Sequence, residues 1–231
     1  MMLKNLLKLI LYSTILLFLE CHSIAKKFEI KSGDLVFLDL DCGEFCDAVE
    51  KVTFGVNGAK FSHIGLVSVE KNGEKMVLEA VSKGVIATPL DTFLSRSKDA
   101  NGKPKVVVGR LKEQYNFLIT NALNEAKKLL GKPYDDVFDL QNDAYYCSEL
   151  VYEAFKRAND GTPLFEPQPM TFKDPDTKEN FEIWVKYYKN LGKPIPEGQL
   201  GLNPGGISRS SKIDIVHCFG RPTGWQGDLL D

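Results

Sequence analysis

Cys147 stands in the run Tyr145-Tyr146-Cys147-Ser148-Glu149-Leu150-Val151, where a helix is expected to begin. A thiol in the first turn of a helix meets unpaired backbone amides and the positive end of the dipole, which stabilise a thiolate and arm it as a nucleophile. The backbone N–H of Cys147 could at the same time receive an oxyanion. Taken singly, a cysteine in this position reads more often as a buried thiol or a disulfide partner. A thiol nucleophile needs a base, and beyond residue 25 the chain offers two imidazoles, His63 and His217. His63 opens a strand-like run beside Phe61, Ser62, Ile64 and Gly65, while His217 adjoins Cys218 in an apolar segment near the C-terminus. Each alone reads as a packed histidine.

Glu79, in Val77-Leu78-Glu79-Ala80, places a carboxylate in an otherwise apolar strand, where an unpaired charge is costly and a partner is required. Turn geometry decides whether that partner is His63. If Lys71-Asn72-Gly73 is a three-residue loop with Gly73 left-handed, Gly65 opposes Glu79 and Val81 opposes His63. Residues 63 and 79 then share a face as diagonal neighbours, with Cβ atoms roughly 7 Å apart, close enough for a glutamate to orient an imidazole. A two-residue Asn72-Gly73 turn would put them on opposite faces.

These side chains need elements to hold them. Residues 34–40 alternate as a strand after the turn chemistry of Lys31-Ser32-Gly33. Residues 63–69 and 75–80 form a hairpin, and 105–111 form another strand behind Gly102 and Pro104. From 113 to 130, Phe117, Ala122, Leu123, Ala126, Leu129 and Leu130 recur at helical spacing, with Gly131 and Pro133 as the stop. A second helix is expected over 147–158, with Leu150, Val151, Ala154 and Phe155 as its buried stripe and Asn142 and Asp143 as capping residues upstream. Residues 159–212 hold seven of the 11 prolines and one helical stretch with Phe181, Trp184, Val185 and Tyr188 on one face, which reads as an appended lobe lining or covering a groove. Residues 213–220 resemble a closing strand.

The N-terminus reads as an export signal. Lys4 and Lys8 precede an apolar run over residues 9–19, and Ser23-Ile24-Ala25 supplies small residues for cleavage after Ala25. The run is shorter than the about 20 apolar residues of a membrane span, so residues 1–25 are expected to leave a chain of residues 26–231 that works in the periplasm or outside the cell. Contact with a membrane is expected only in passing, through the leader. A net charge of −2, without a basic block, points away from nucleic acid. Cys42, Cys46, Cys147 and Cys218 remain in the exported part; two disulfides would use them all, and one would leave two thiols. Spacing leaves the pairing undecided.

Taken together, Gly33-Asp34-Leu35-Val36-Phe37, Phe61-Ser62-His63-Ile64-Gly65, Leu78-Glu79-Ala80-Val81, Leu130-Gly131-Lys132-Pro133-Tyr134-Asp135 and Tyr146-Cys147-Ser148-Glu149-Leu150-Val151 resemble the YiiX-like permuted papain-fold hydrolases, relatives of the NlpC-type cell-wall peptidases. The resemblance spans residues 31–158, five motifs in order, with a further similarity at Gly192-Lys193-Pro194-Ile195-Pro196. It implies an α+β fold, an antiparallel sheet packed on helices, in which the histidine strand precedes the cysteine helix. It also implies Cys147 as nucleophile, His63 as general base and Glu79 as the group orienting it. Tyr134 corresponds to the tyrosine of the NlpC-type Pro-Tyr motif, a candidate for substrate or oxyanion contact.

Cys42, in Asp39-Leu40-Asp41-Cys42-Gly43-Glu44-Phe45-Cys46, superficially matches the nucleophile motif of the unpermuted enzymes, but it lies too close to His63 in sequence for that arrangement. A disulfide involving Cys42, Cys46 or Cys218 is the expected role. No metal is expected, because the one pair of thiols lacks a second ligand pair, and no cofactor is expected. The resemblance favours amide hydrolysis through an acyl-enzyme, with a peptidoglycan stem peptide as leading substrate. The competing substrate is a lipid ester or N-acyl amide, as in permuted relatives similar to lecithin-retinol acyltransferase, and an apolar trough rather than a tight polar groove would favour it. A catalytically silent binding module is the remaining alternative.

Overall fold

The structure, a computed structural model, describes residues 28–228; the leader expected over residues 1–25 lies outside them. The chain runs β1 (Leu35–Leu38), α1 (Glu44–Val52), β2 (His63–Val69), β3 (Lys75–Val81), β4 (Gly84–Pro89), α2 (Leu90–Leu94), β5 (Val106–Leu111), α3 (Ile119–Lys128), α4 (Cys147–Ala158), β6 (Gln168–Pro169), α5 (Glu182–Leu191), β7 (Leu200–Gly201), α6 (Pro204–Ser208) and β8 (Ile213–Cys218). β4, β3, β2, β1, β5 and β8 form, in that order, one antiparallel sheet, while β6 and β7 pair separately. This is the expected α+β class. β4, which the sequence pattern did not single out, extends the sheet beyond the hairpin.

Alternation divides the sheet between two cores. Leu35, Phe37, Ile64, Leu66, Leu78 and Val107 pack against Ala122 and Ala126 of α3 and Val151, Ala154 and Phe155 of α4. Val36, Leu38, Val67, Val77, Val106 and Val108 pack against Leu90 and Phe93 of α2. All four residues of β1 are buried because both faces are covered, which is why its sequence is apolar almost throughout.

The expected buried stripe of α4, Leu150, Val151, Ala154 and Phe155, is fully buried, each large member contributing about 1.5–3 kcal/mol. Its start differs from expectation. Asn142 accepts from the Ala144 N–H at 2.7 Å and Asp143 pairs with Lys132, so neither caps the helix. Instead the Glu149 carboxyl reaches back to the Tyr146 N–H at 3.3 Å. Lys156 and Arg157 occupy the last turn, where they complement the dipole.

The helix expected over 113–130 begins as a 3₁₀ segment, Glu113–Leu118, and becomes α-helical at Ile119. Tighter winding changes the phase of the apolar stripe. Ala122, Leu123, Ala126 and Leu129 are buried as expected, but Phe117 is 71% exposed and Leu130 is 42% exposed. Residues 159–212 divide between two cores: Leu164, Phe165, Leu202 and Ile207 join the main one, whereas Phe172, Trp184 and Tyr188 pack with Ala48 of α1. Val185 does not join its expected partners Trp184 and Tyr188 on the buried face.

Candidate active site

The hairpin closes as a three-residue loop. The Glu70 N–H donates to the Glu74 carbonyl at 2.8 Å, and Gly73 adopts φ 85°, a left-handed conformation that favours glycine. Leu66 pairs with Leu78 and Val67 with Val77, a register that sets Gly65 against Glu79. A Cβ at Gly65 would run into the Val77 side chain and press on the Leu78 carbonyl, so the close approach of the two strands here suits glycine. His63 and Glu79 therefore fall on one face, His63 Nε2 lying 2.6 Å from Glu79 Oε2.

Glu79 is fully buried and its two oxygens are saturated. Oε1 accepts from Thr88 Oγ1 at 2.5 Å and from Arg96 Nη2 at 2.6 Å, while Oε2 faces His63 and accepts from Arg96 Nη1 at 2.7 Å. Burial pushes the carboxyl up, but the hydrogen bonds from His63 and Arg96 outweigh it and hold the group at about 2. Thr88 and Arg96 were not singled out from the sequence. Thr88 becomes legible once β4 is recognised, since Val77 pairs with Thr88 and Glu79 with Ile86, making Thr88 a diagonal neighbour of Glu79. Arg96 follows α2 and has no local signal beyond being a cation that a buried carboxylate requires.

The Cys147 thiol hydrogen-bonds to the His63 ring and to the Ile64 N–H, and its sulfur lies 3.9 Å from Ser148 Oγ. With Nε2 engaged by Glu79, Nδ1 is the nitrogen left for the sulfur. Both groups are buried. Burial lowers the imidazole, but the hydrogen bonds to Cys147 and Glu79 and their charges raise it overall to about 9. Burial likewise raises the thiol, and the His63 hydrogen bond and positive charge bring it below its ordinary value. The first-turn amides of α4 act in the same direction. Both shifts favour the thiolate–imidazolium form of the pair over the neutral one.

Cys42 and Cys46 are joined in a disulfide across the first turn of α1, so the competing cysteine holds no thiol, whereas Cys147 does. The three-residue spacer between them is a disulfide spacing. His217 stacks on Phe28 with ring centroids 4.0 Å apart, on β8 at the sheet edge opposite β4, and has no place in the Cys147 cluster. Tyr134 shares a cavity wall with Cys147. Burial and the charge of Cys147 push its phenol far above the usual range, leaving it a protonated donor.

That cavity, about 140 Å³, is bordered by Cys147 and walled by Phe45 and Val49 of α1, by Phe138, and by Met170, Phe172 and Trp184 from the segment after α4.

The family described as permuted papain-like amidase enzymes, YaeF/YiiX, C92 family, matches residues 29–217. The uncharacterized protein YiiX of Escherichia coli (strain K12) is 27% identical over 187 residues, covering 80% of this chain and 85% of that protein. The crystal structure of YiiX from Escherichia coli O157:H7, described as a metalloprotein, superposes with a TM-score of 0.65 at 26% identity, covering 84% of this chain and 100% of that one. Among the described residues of this chain, no three His, Cys, Asp or Glu side chains group as a metal site requires. The order in which β2 delivers the imidazole before α4 delivers the sulfur, together with the match along most of the sequence, shows that this chain belongs to the permuted papain-like amidases of the YaeF/YiiX, C92 family, a class of cysteine hydrolases.

Proposed function

We propose that the protein is an exported cysteine amidase that cleaves its substrate through a thioester on Cys147. The observation that carries this reading is the buried chain of hydrogen bonds from Cys147 to His63 to Glu79. The Cys147 thiolate attacks the amide carbonyl carbon, and the Cys147 N–H and the Tyr134 hydroxyl receive the oxyanion. The His63 imidazolium gives its proton to the nitrogen as the C–N bond breaks and the amine departs. Neutral His63 then takes a proton from the water that attacks the thioester. The C–S bond breaks, the acid leaves, and thiolate and imidazolium are restored. Glu79 stays ionised throughout and holds the ring.

Export is supported by the leader-like pattern of residues 1–25 and by the Cys42–Cys46 disulfide, since such bonds persist in oxidising compartments. A cell-wall peptide is the substrate that the kinship with NlpC-type enzymes suggests. An N-acyl amide is the second reading, favoured by the apolar wall beside Cys147. Incubation of the mature protein with muropeptides and with lipid extracts, wild type against Cys147→Ala, identifies the product by mass. Undiminished turnover by the Cys147→Ala protein would refute the assignment.

A further inference from the structure

We infer that the cavity beside Cys147 seats one apolar group of about the size of a benzene ring on the acyl side of the scissile amide. The inference rests on the reading of Cys147 as nucleophile. Size is the first argument. The cavity holds about 140 Å³, close to the about 150 Å³ of an apolar cavity known to take up benzene. A phenyl ring, a branched aliphatic side chain or the first carbons of an acyl chain fill such a space, and a methyl group leaves most of it empty.

The wall is the second argument. Phe45, Val49, Phe138, Phe172 and Trp184 contribute apolar surface, and no Asp, Glu, Lys or Arg lies among the lining residues. A charged acyl-side group would lose its hydration there with no ion to meet it. Burying an aromatic ring against such a wall strengthens binding by about tenfold or more over a methyl group.

Position relative to the dyad gives the third argument. Cys147 and Ser148 belong to the wall, whereas His63 does not. The imidazolium must face the departing nitrogen, so the amine lies on the His63 side of the sulfur and the acyl substituent lies on the cavity side. The shape is also held in place at a local conformational cost. Phe138 adopts φ 56°, which a bulky side chain rarely does. The Asp135 carboxylate accepts from the Val137 N–H at 2.9 Å and the Asp139 N–H at 2.6 Å, and the Tyr187 hydroxyl donates to the Asp136 carbonyl at 2.9 Å. These bonds fix the loop that offers the Phe138 ring to the cavity.

The test is direct binding. Phenylacetylglycine, hexanoylglycine, acetylglycine and succinylglycine are titrated calorimetrically into the Cys147→Ala protein. Phenylacetyl and hexanoyl ligands should bind at least tenfold more tightly than the acetyl ligand, and the succinyl ligand no better than acetyl. Adding Val49→Trp, which fills the cavity from half-buried Val49, should reduce the phenylacetyl ligand to the acetyl level with the circular dichroism spectrum unchanged. Equal or tighter binding of the acetyl or succinyl ligand, binding of none of the four, or a preference that survives Val49→Trp overturns the inference. Labelling of wild-type Cys147 by iodoacetamide at neutral pH separates the two readings. Rapid labelling without an apolar preference leaves the nucleophile standing and removes this substrate class, whereas the apolar preference with an inert thiol removes the nucleophile and leaves the cavity assignment.

Discussion

Arg96 grips both oxygens of Glu79, at 2.6 and 2.7 Å, and shares Oε2 with His63. The carboxylate that orients the imidazole is therefore already neutralised by a cation outside the Cys147–His63 pair. This arrangement keeps Glu79 ionised in a buried site without letting its full charge act on His63.

Arg96→Gln should move the alkaline limb of the kcat/KM profile to higher pH. Without the guanidinium, Glu79 stabilises the imidazolium more strongly, His63 rises above about 9, and it becomes a poorer acid toward the leaving amine. Activity at neutral pH should fall roughly 10–100-fold, the scale found for partners that orient a reacting ligand. Stability should fall by about 2 kcal/mol, less than for a fully buried pair because Arg96 is partly exposed and His63 and Thr88 stay on Glu79. An alkaline limb that stays in place after this substitution would show that Arg96 only packs.

Alkylation of Cys147 by iodoacetamide should be fast at neutral pH in the wild-type protein. The thiolate with its imidazolium exists above the lowered thiol value and below about 9, where His63 loses its proton. Turnover should therefore decline at both ends of that window. In His63→Ala the burial of the sulfur is no longer opposed by a cation, so Cys147 should rise above the ordinary thiol value and its labelling at neutral pH should slow about tenfold or more. Equal labelling of the two proteins would sink the ion-pair account.

Glu149 carries its proton at neutral pH. Burial raises it to about 9, the Tyr146 N–H pulling the other way and the charges of Asp135, Glu153 and Asp139 adding to the rise. The unfolded chain releases this proton near the ordinary value of 4.5, so between 4.5 and about 9 the unfolded state binds fewer protons than the folded one. Through this group, stability falls as pH rises across that window. Glu149→Gln mimics the protonated acid and can still accept from Tyr146, so it should stabilise the protein by about 2 kcal/mol at neutral pH and flatten the pH dependence of urea unfolding. A loss of stability would show that Glu149 is ionised.

The double substitution Cys42→Ser, Cys46→Ser should lower stability by about 2 kcal/mol, the loop-entropy scale for so short a ring. It should leave the labelling of Cys147 by an electrophilic probe intact. Loss of all labelling in a folded double variant would return Cys42 to candidacy.

Local chemistry determined much of this protein before any fold was known. The alternation of β2 and β3 around Lys71-Asn72-Gly73 narrowed residues 63 and 79 to one shared face or two opposite ones, with the turn type left for the structure to decide, and a glutamate in so apolar a strand demands a cation or an imidazole. The four apolar positions of α4 fixed where the helix carrying Cys147 turns inward. Such features depend on neighbours within a few residues, so periodicity and turn chemistry reveal them.

Long-range contacts decided the rest. Cys147 and His63 are 84 residues apart, and nothing between them states that α4 begins beside the start of β2. Arg96 reaches Glu79 only because α2 folds back over the sheet, and the cysteine pairing depended on which thiols the tertiary structure brought within bonding distance. The phase of the 113–130 helix shifted because the 3₁₀ start sets Phe117 outward, a balance of winding and packing with no local signature. The cavity has the same origin: α1, the loop carrying Phe138 and the segment after α4 each supply part of its wall, and only their docking gives it a size.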